Sequence, residues 1–203
     1  MTAQPTASET GGDRQIVLVT KLTAPPLRPE HIVRERLLDV LDAATTRPLT
    51  LLSAPTGFGK TTLLAAWARR GTRRSAWLTL TDGDADTVRL MAGIVAALRR
   101  AGVEIDDDLD RDLLAPGSDP AGRVLPRLLD GVDGGDPLVL ILDDYHQLTG
   151  PAAHALITEF IAGMPERLRV VIATRSVSTA KCTTTRRSSG FFASRAVRYC
   201  SIA

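Results

Sequence analysis

The stretch Leu49-Thr50-Leu51-Leu52-Ser53-Ala54-Pro55-Thr56-Gly57-Phe58-Gly59-Lys60-Thr61-Thr62-Leu63-Leu64 decides how the rest of the chain is read. A short apolar run over 49–53 breaks into a loop of small residues, and a helical pattern follows over 61–70. Strand, loop and helix in that order are what a phosphate-binding loop requires. Backbone N–H groups converge on a polyphosphate only where the chain wraps tightly, and Gly57 and Gly59 keep side chains clear of the anion. The helix then contributes its N-terminus. Lys60 is expected to reach the β- and γ-phosphates of a nucleotide from there, and the Thr61 hydroxyl to bind Mg²⁺. The pattern G-x-x-x-x-G-K-[ST] has Ala54 at its first position, so the match is one residue short of strict. That departure touches the first turn of the loop and leaves Gly59-Lys60-Thr61 intact. The expected phosphate-binding set is Ala54, Pro55, Thr56, Gly57, Phe58, Gly59, Lys60, Thr61 and Thr62.

The second informative stretch is Pro137-Leu138-Val139-Leu140-Ile141-Leu142-Asp143-Asp144. An unbroken aliphatic run is what a strand buried on both faces needs, usually a central parallel one. Alone, aliphatics ending in Asp-Asp are weak evidence, since many strands end in a polar turn. Downstream of a phosphate loop they form a Walker B candidate. The carboxyl ends of parallel strands line the ligand crevice. Asp143 is therefore expected to face the Mg²⁺ held by Thr61, and Asp144 to lie within reach of an attacking water. A further buried strand over 168–173 ends in Thr174-Arg175, which places a cation where it could sense the γ-phosphate. An ordinary surface arginine is the competing reading for Arg175.

Around these motifs the chain is ordinary globular material. Its 203 residues are enough for one α/β domain with a real core, 44% are hydrophobic and 24% charged. The start of the chain, 1–14, reads as a disordered lead-in without the apolar core of an export signal, and no run approaches a bilayer span. A cytoplasmic protein without membrane association is the expectation. The formal net charge of +2 hides an asymmetry: 176–203 holds five basic residues and no acid, leaving 20 basic against 23 acidic residues elsewhere. The body therefore carries no basic signature for nucleic acid. Cys182 and Cys200 both lie in that tail, which excludes a disulfide framework or thiol metal site from the body.

Other elements follow from spacing. A β-branched run over 15–20 leads into a proline-rich extended segment over 21–29. From Glu30, Val33, Leu37, Leu38 and Leu41 fall on one helical face, and Arg36 reads as a solvated helix charge. Residues 75–80 read as a strand with Trp77 in the core. Asp82, Asp84 and Asp86 resemble the opening of a calcium loop, but Thr87 and Gly93 stand where glycine and glutamate are required. They fit better as the cap and first turn of a helix carrying Val88, Met91, Ile94, Val95 and Leu98. The acidic stretch 102–118 reads as a solvated connection, 119–132 as a helix interrupted by Pro126, and 151–164 as a helix returning to the last strand. His31, His146 and His154 share no metal-ligand spacing and read as ordinary polar positions.

Taken together, Lys21-Leu22, Pro25, Arg28, residues 33–37, 53–64, Ala76-Trp77-Leu78, 140–146 and 172–175 resemble the N-terminal ATPase module of large LuxR-type transcriptional regulators of the maltose-activator kind. These are STAND-class P-loop NTPases, relatives of the AAA+ proteins. The resemblance spans about 20–175, and in that family alanine at the first loop position is common. It implies a three-layer α/β sandwich with a mostly parallel sheet in the ASCE order, with ATP and Mg²⁺ as ligands. Val33 and Arg34 then lie near the adenine and phosphates, and Thr61 and Asp143 hold Mg²⁺. Lys60, Asp144 and Arg175 act on the terminal phosphate, Asp144 by polarising the water and Arg175 as a sensor. ATP binding and slow hydrolysis switch such proteins between resting and DNA-binding forms.

The NTPase domain is thus expected over 15–175, and 176–203 departs from the family. With ten Ser or Thr residues and no acid, that tail reads as out-of-frame sequence after a truncation, or as a disordered native tail. The sheet would then lack its fifth strand, leaving the loop-bearing strand at an open edge prone to self-association. No direct DNA binding is expected from this chain. A module that holds nucleotide without hydrolysing it is the alternative function, and a small-molecule P-loop kinase would need an acceptor pocket and basic lid that the sequence does not display.

Overall fold

Five strands, all paired in parallel, form one sheet in the order β2-β3-β4-β1-β5. The strands are β1 Leu49–Ser53, β2 Arg74–Thr79, β3 Leu138–Asp143, β4 Leu168–Thr174 and β5 Val197–Ser201. The helices are α1 Glu35–Ala44, α2 Lys60–Arg70, α3 Thr87–Arg100, α4 Asp108–Leu114, α5 Leu125–Val132 and α6 Pro151–Gly163. The computed structural model describes residues 19–30, 32–175 and the strand 197–201.

Alternation along the strands divides the interior into two cores. On one face Leu138, Leu140 and Leu142 of β3 join Val170 and Ile172 of β4 under α3, α4, α5 and α6. On the other, Val139, Ile141, Val171, Ala173 and Trp77 pack with Leu52 against Leu38 and Leu41 of α1 and Leu64 and Trp67 of α2. Helices on both faces of a parallel sheet are the three-layer arrangement expected from the aliphatic runs. All six residues of β3 are buried. Each fully buried aliphatic side chain contributes about 1.5–3 kcal/mol, so β3 is a rigid base for the carboxylate at its end.

Parallel pairing has one consequence for function: the carboxyl ends of β1, β3 and β4 emerge at the same edge of the sheet. β1 and β4 pair up to Ser53 and Thr174, and β2 and β3 up to Thr79 and Asp143.

Several expectations are corrected. The open β1 edge does not hold, because β5 pairs with β1 from Leu49↔Val197 to Ser53↔Ser201. Val197, Tyr199 and Cys200 give this short piece of the tail β-propensity that its Ser/Thr-rich surroundings hide. The edge that was to drive self-association is therefore occupied. The remainder of the tail, including Cys182, and residues 1–18 lie outside the described residues. The first helix starts at Glu35, not Glu30, so Val33 and Arg34 precede it and are exposed. Pro29 and a turn at 29–30 delay the helix, which begins with the Glu35 carboxylate in its first turn. Of the β-branched run at 15–20, residues 19 and 20 open a 3-10 turn, Val19–Leu22. The connection 102–118 contains α4, whose acids are met from other elements: Arg99 contacts Asp110 at 2.5 Å and Arg127 contacts Asp112, and Arg127 also reaches Asp106, just before the helix, at 3.0 Å. The helix expected over 119–132 is a wide turn, Pro120–Val124, followed by α5, which takes Pro126 in its first turn. A proline costs no hydrogen bond there.

Candidate functional site

The loop between β1 and α2 is built as its sequence demands. Gly57 and Gly59 adopt φ of +84° and +78°, the left-handed region that side chains other than glycine enter at a cost. No heavy atom lies within 4 Å of a Cβ built at either position, so both glycines border open space on the inside of the wrap. Gly59 caps α2 and no side chain accepts a hydrogen bond from the helix's first N–H groups. Those donors, with the positive end of the helix dipole, are available to an anion. Lys60 is buried to 8% exposure, and its ammonium donates to the carbonyls of Ala54 at 2.7 Å and Pro55 at 3.1 Å. The lysine thus braces the loop from inside. Ala54, itself buried, donates its N–H to the Thr174 carbonyl at 3.4 Å, which joins the loop to the end of β4.

Asp143 terminates β3 at 1% exposure, and neither carboxylate oxygen has a hydrogen-bond partner. Burial pushes its carboxyl pKa up, and the neighbouring Asp144 charge pushes the same way. The Thr61 hydroxyl, then the Asp144 N–H and the Lys60 ammonium pull it down, though none completes a hydrogen bond. A buried, unpaired carboxylate is costly, and this one faces the lysine and threonine of the loop. Such an orphaned acid beside a hydroxyl fits Mg²⁺, which usually takes one or two protein oxygens and completes its octahedron with water and substrate phosphates. Among the described residues no group of three His, Cys, Asp or Glu could hold a metal without such help.

Beyond β3, Asp144 has φ +54° and ψ +37°, the lone non-glycine residue with positive φ among those described. The turn Tyr145–Gln147 follows, closed by the Gln147 N–H on the Asp144 carbonyl at 2.9 Å. It is anchored to α6 by the Tyr145 hydroxyl and His154 Nδ1, 3.0 Å apart. This turn brings His146 to the site: its Nδ1 lies 3.8 Å from an Asp144 carboxylate oxygen. Burial, then Arg175, and more weakly Lys60 lower its pKa, while Asp144 raises it. Arg175, exposed just past β4, is therefore near enough to act on the same ring.

A cleft of about 480 Å³ opens beside α2, lined by Pro25, Pro26, Leu27, Arg28, Glu30 and Thr62. Val33 and Arg34 are not among the described residues lining it. The segment that walls the cleft is pinned at its start by Lys21, whose ammonium meets both Asp84 carboxylate oxygens at 2.7 and 2.6 Å and the Thr81 hydroxyl at 3.3 Å. Asp84 also accepts from the Thr81 N–H at 2.7 Å. Only Asp86 caps α3 as expected, accepting from the Arg89 N–H. The structure thus brings Lys60, Thr61, Asp143, Asp144 and Arg175 to one edge of the sheet and adds His146. The signal for His146 was its place three residues after Asp143 in a strand-ending turn.

A parallel sheet carrying a glycine-wrapped loop on one strand end and a buried acid on another defines a P-loop NTPase fold. The family model for the AAA ATPase domain matches residues 30–172, and the chain belongs to that family. Among characterised proteins, it is 31% identical over 166 residues to the HTH-type transcriptional regulator MalT of Klebsiella pneumoniae, and 30% identical over 163 residues to MalT of Cronobacter sakazakii. Each match covers 79% of this chain but 18% of the relative, so the chain spans under a fifth of their length. Among solved structures, it is similar to a DNA replication initiation factor (TM-score 0.44, 17% identity, 85% of this chain and 50% of that one). It is also similar to Drosophila ORC bound to DNA (TM-score 0.46, 9% identity, 83% of this chain and 89% of that one). No helix among the described residues is long and apolar enough to cross a membrane.

Proposed function

We propose that this chain binds Mg·ATP and hydrolyses it slowly, as the nucleotide switch of a transcriptional regulator similar to MalT. The observation that carries this reading is Asp143: a carboxylate at 1% exposure with no partner, set against the loop that holds Lys60 and Thr61. A metal chelated by a triphosphate supplies the missing charge. The amides of 57–62 would wrap the phosphates, and Lys60 would leave the Ala54 and Pro55 carbonyls for the β- and γ-oxygens. Thr61 and Asp143 would hold Mg²⁺, which when bound neutralises charge on the terminal phosphate. Asp144 would orient the attacking water and Arg175 would meet the γ-phosphate. The base is assigned to the cleft between 25–30 and Thr62, with Val33 and Arg34 at its approach.

ATP affinity and single-turnover hydrolysis, measured side by side, test the assignment. Lys60→Ala should abolish binding, while Asp144→Asn should keep binding and lose hydrolysis. Full-strength ATP binding by Lys60→Ala would overturn it.

A further inference from the structure

The amino ends of the strands, opposite the edge that carries Asp143, gather arginines. Register sets Arg74 beside Leu138 and Leu138 beside Leu168, so Arg73, Pro137 and Arg167 stand in one row just before β2, β3 and β4. Arg169 lies two residues further along β4, beside Val139. These residues and Glu166 line a cleft of about 180 Å³. β3 runs from this cleft to Asp143, about 17 Å at the rise of a strand, so the cleft is separate from the nucleotide site.

The three arginines are half-buried, and their own chain does not neutralise them. Arg167 donates to the Gly135 carbonyl, and its Nε lies 3.9 Å from an Asp133 carboxylate oxygen. Arg169 gives one N–H to the Leu168 carbonyl at 3.2 Å. Among the described residues neither Arg73 nor Arg169 has a carboxylate in ion-pair range, and Glu166, exposed on the cleft wall, pairs with none of the three. Elsewhere this acidic body supplies counter-charges: Arg70 meets Asp39 at 2.8 Å and Arg99 meets Asp110 at 2.5 Å. Like charges gathered in a partly buried cleft repel one another, and an anion among them relieves that cost. Arg73 and Arg167 flank Pro137 at two strand spacings, roughly 10 Å between backbones, a gap that two arginine side chains converging on one small anion can close.

We propose that this cleft binds a small oxyanion of the phosphate class, held by the guanidinium groups of Arg73, Arg167 and Arg169. A guanidinium is planar and presents paired N–H donors that match two phosphate oxygens at once. The volume falls below the roughly 300 Å³ at which pockets for drug-sized ligands begin, so the occupant is a single phosphoryl group and not a nucleotide. Free phosphate and the phosphoryl group of a small monoester share this chemistry.

Arginine Nε–H signals in ¹⁵N spectra of the full chain read the site directly, because the phosphate loop over 54–62 contains no arginine. Arg73→Gln and Arg169→Gln assign the two signals. Titration with inorganic phosphate at constant ionic strength should move both along one saturable curve, with sulfate competing and chloride inert. Arg73→Gln should weaken the binding seen at Arg169 about 10- to 100-fold, the equivalent of one charge-assisted hydrogen bond. Arg73→Lys keeps the charge, loses the paired donors and should weaken it less. Glycerol phosphate, titrated in parallel, separates the two sources: affinity equal to that of phosphate assigns the site to monoesters, and affinity more than about tenfold weaker assigns it to the free ion. Shifts that chloride reproduces at the same ionic strength, shifts that do not saturate, or an Arg169 affinity unchanged in Arg73→Gln overturn the proposal. The comparison with chloride uses the wild type alone, so it decides even where a variant fails to fold.

Discussion

Replacing Asp143 with asparagine should stabilise the nucleotide-free protein while removing its response to Mg²⁺. The carboxylate is almost completely enclosed and completes no hydrogen bond, although the Thr61 hydroxyl and the Asp144 N–H lie near enough to lower its pKa. A buried charged group without partners costs more than a neutral one of the same shape, and relieving it is worth about 1–3 kcal/mol. For a domain of this size that corresponds to a Tm rise of roughly 2–12 °C. The pH dependence has a definite sign. Burial raises the folded-state pKa, so the native protein binds the proton more tightly than the unfolded chain. Stability from this group is complete below the ordinary carboxyl value of 3.8 and is lost as pH rises through the folded-state pKa. That loss should vanish in Asp143→Asn. With ATP at a hundredfold excess over Kd, binding stabilises by about 2.7 kcal/mol. The part that depends on Mg²⁺ should appear in the wild type and collapse in the variant. Differential scanning fluorimetry from pH 4 to 8, with ATP, Mg²⁺, both or neither, reads every term. A nucleotide-free Asp143→Asn protein that melts below the wild type, or one with an unchanged Mg²⁺ increment, would refute the reasoning.

Other expected outcomes follow from single features. Gly59→Ala should destabilise by about 1–2 kcal/mol through its φ of +78° alone, since no neighbour crowds a Cβ there; chemical denaturation measures it. Asp84→Ala should cost about 3–5 kcal/mol by stranding Lys21 and the Thr81 N–H, and limited proteolysis should then cut sooner within 19–30. Thr62→Trp should fill the cleft beside α2 and weaken ATP more than inorganic triphosphate in competition titrations, if the base lies against Pro25, Pro26 and Leu27.

What could be read in the sequence divides along physical lines. The loop was legible because tight wrapping demands glycine at fixed places, and Gly57 and Gly59 do take the left-handed conformation. The central strands were legible because only a doubly covered strand tolerates an aliphatic run like that of 138–142. The contact between Lys21 and Asp84 spans 63 residues and leaves no local pattern. β5 was hidden because its few strand-forming residues follow a long polar stretch, and strand pairing depends on the partner edge more than on propensity. His146 read as an ordinary polar residue because a lone histidine carries no spacing signal; the turn that Asp144 begins is what brings it to the strand end. The start of α1 was misplaced because the apolar spacing from Val33 continues the helical pattern past a proline turn that halts the helix.

The central claim is that the loop at 54–62 and the acid at 143 serve one metal-chelated triphosphate. Isothermal titration of the purified chain with ATP, in the presence and absence of Mg²⁺, tests it most directly. The account expects saturable binding at one site that tightens with Mg²⁺ in the wild type and does not tighten in Asp143→Asn. Heat-silent titrations with no displacement of a fluorescent ATP analogue, or an affinity indifferent to Mg²⁺ in the wild type, would contradict it.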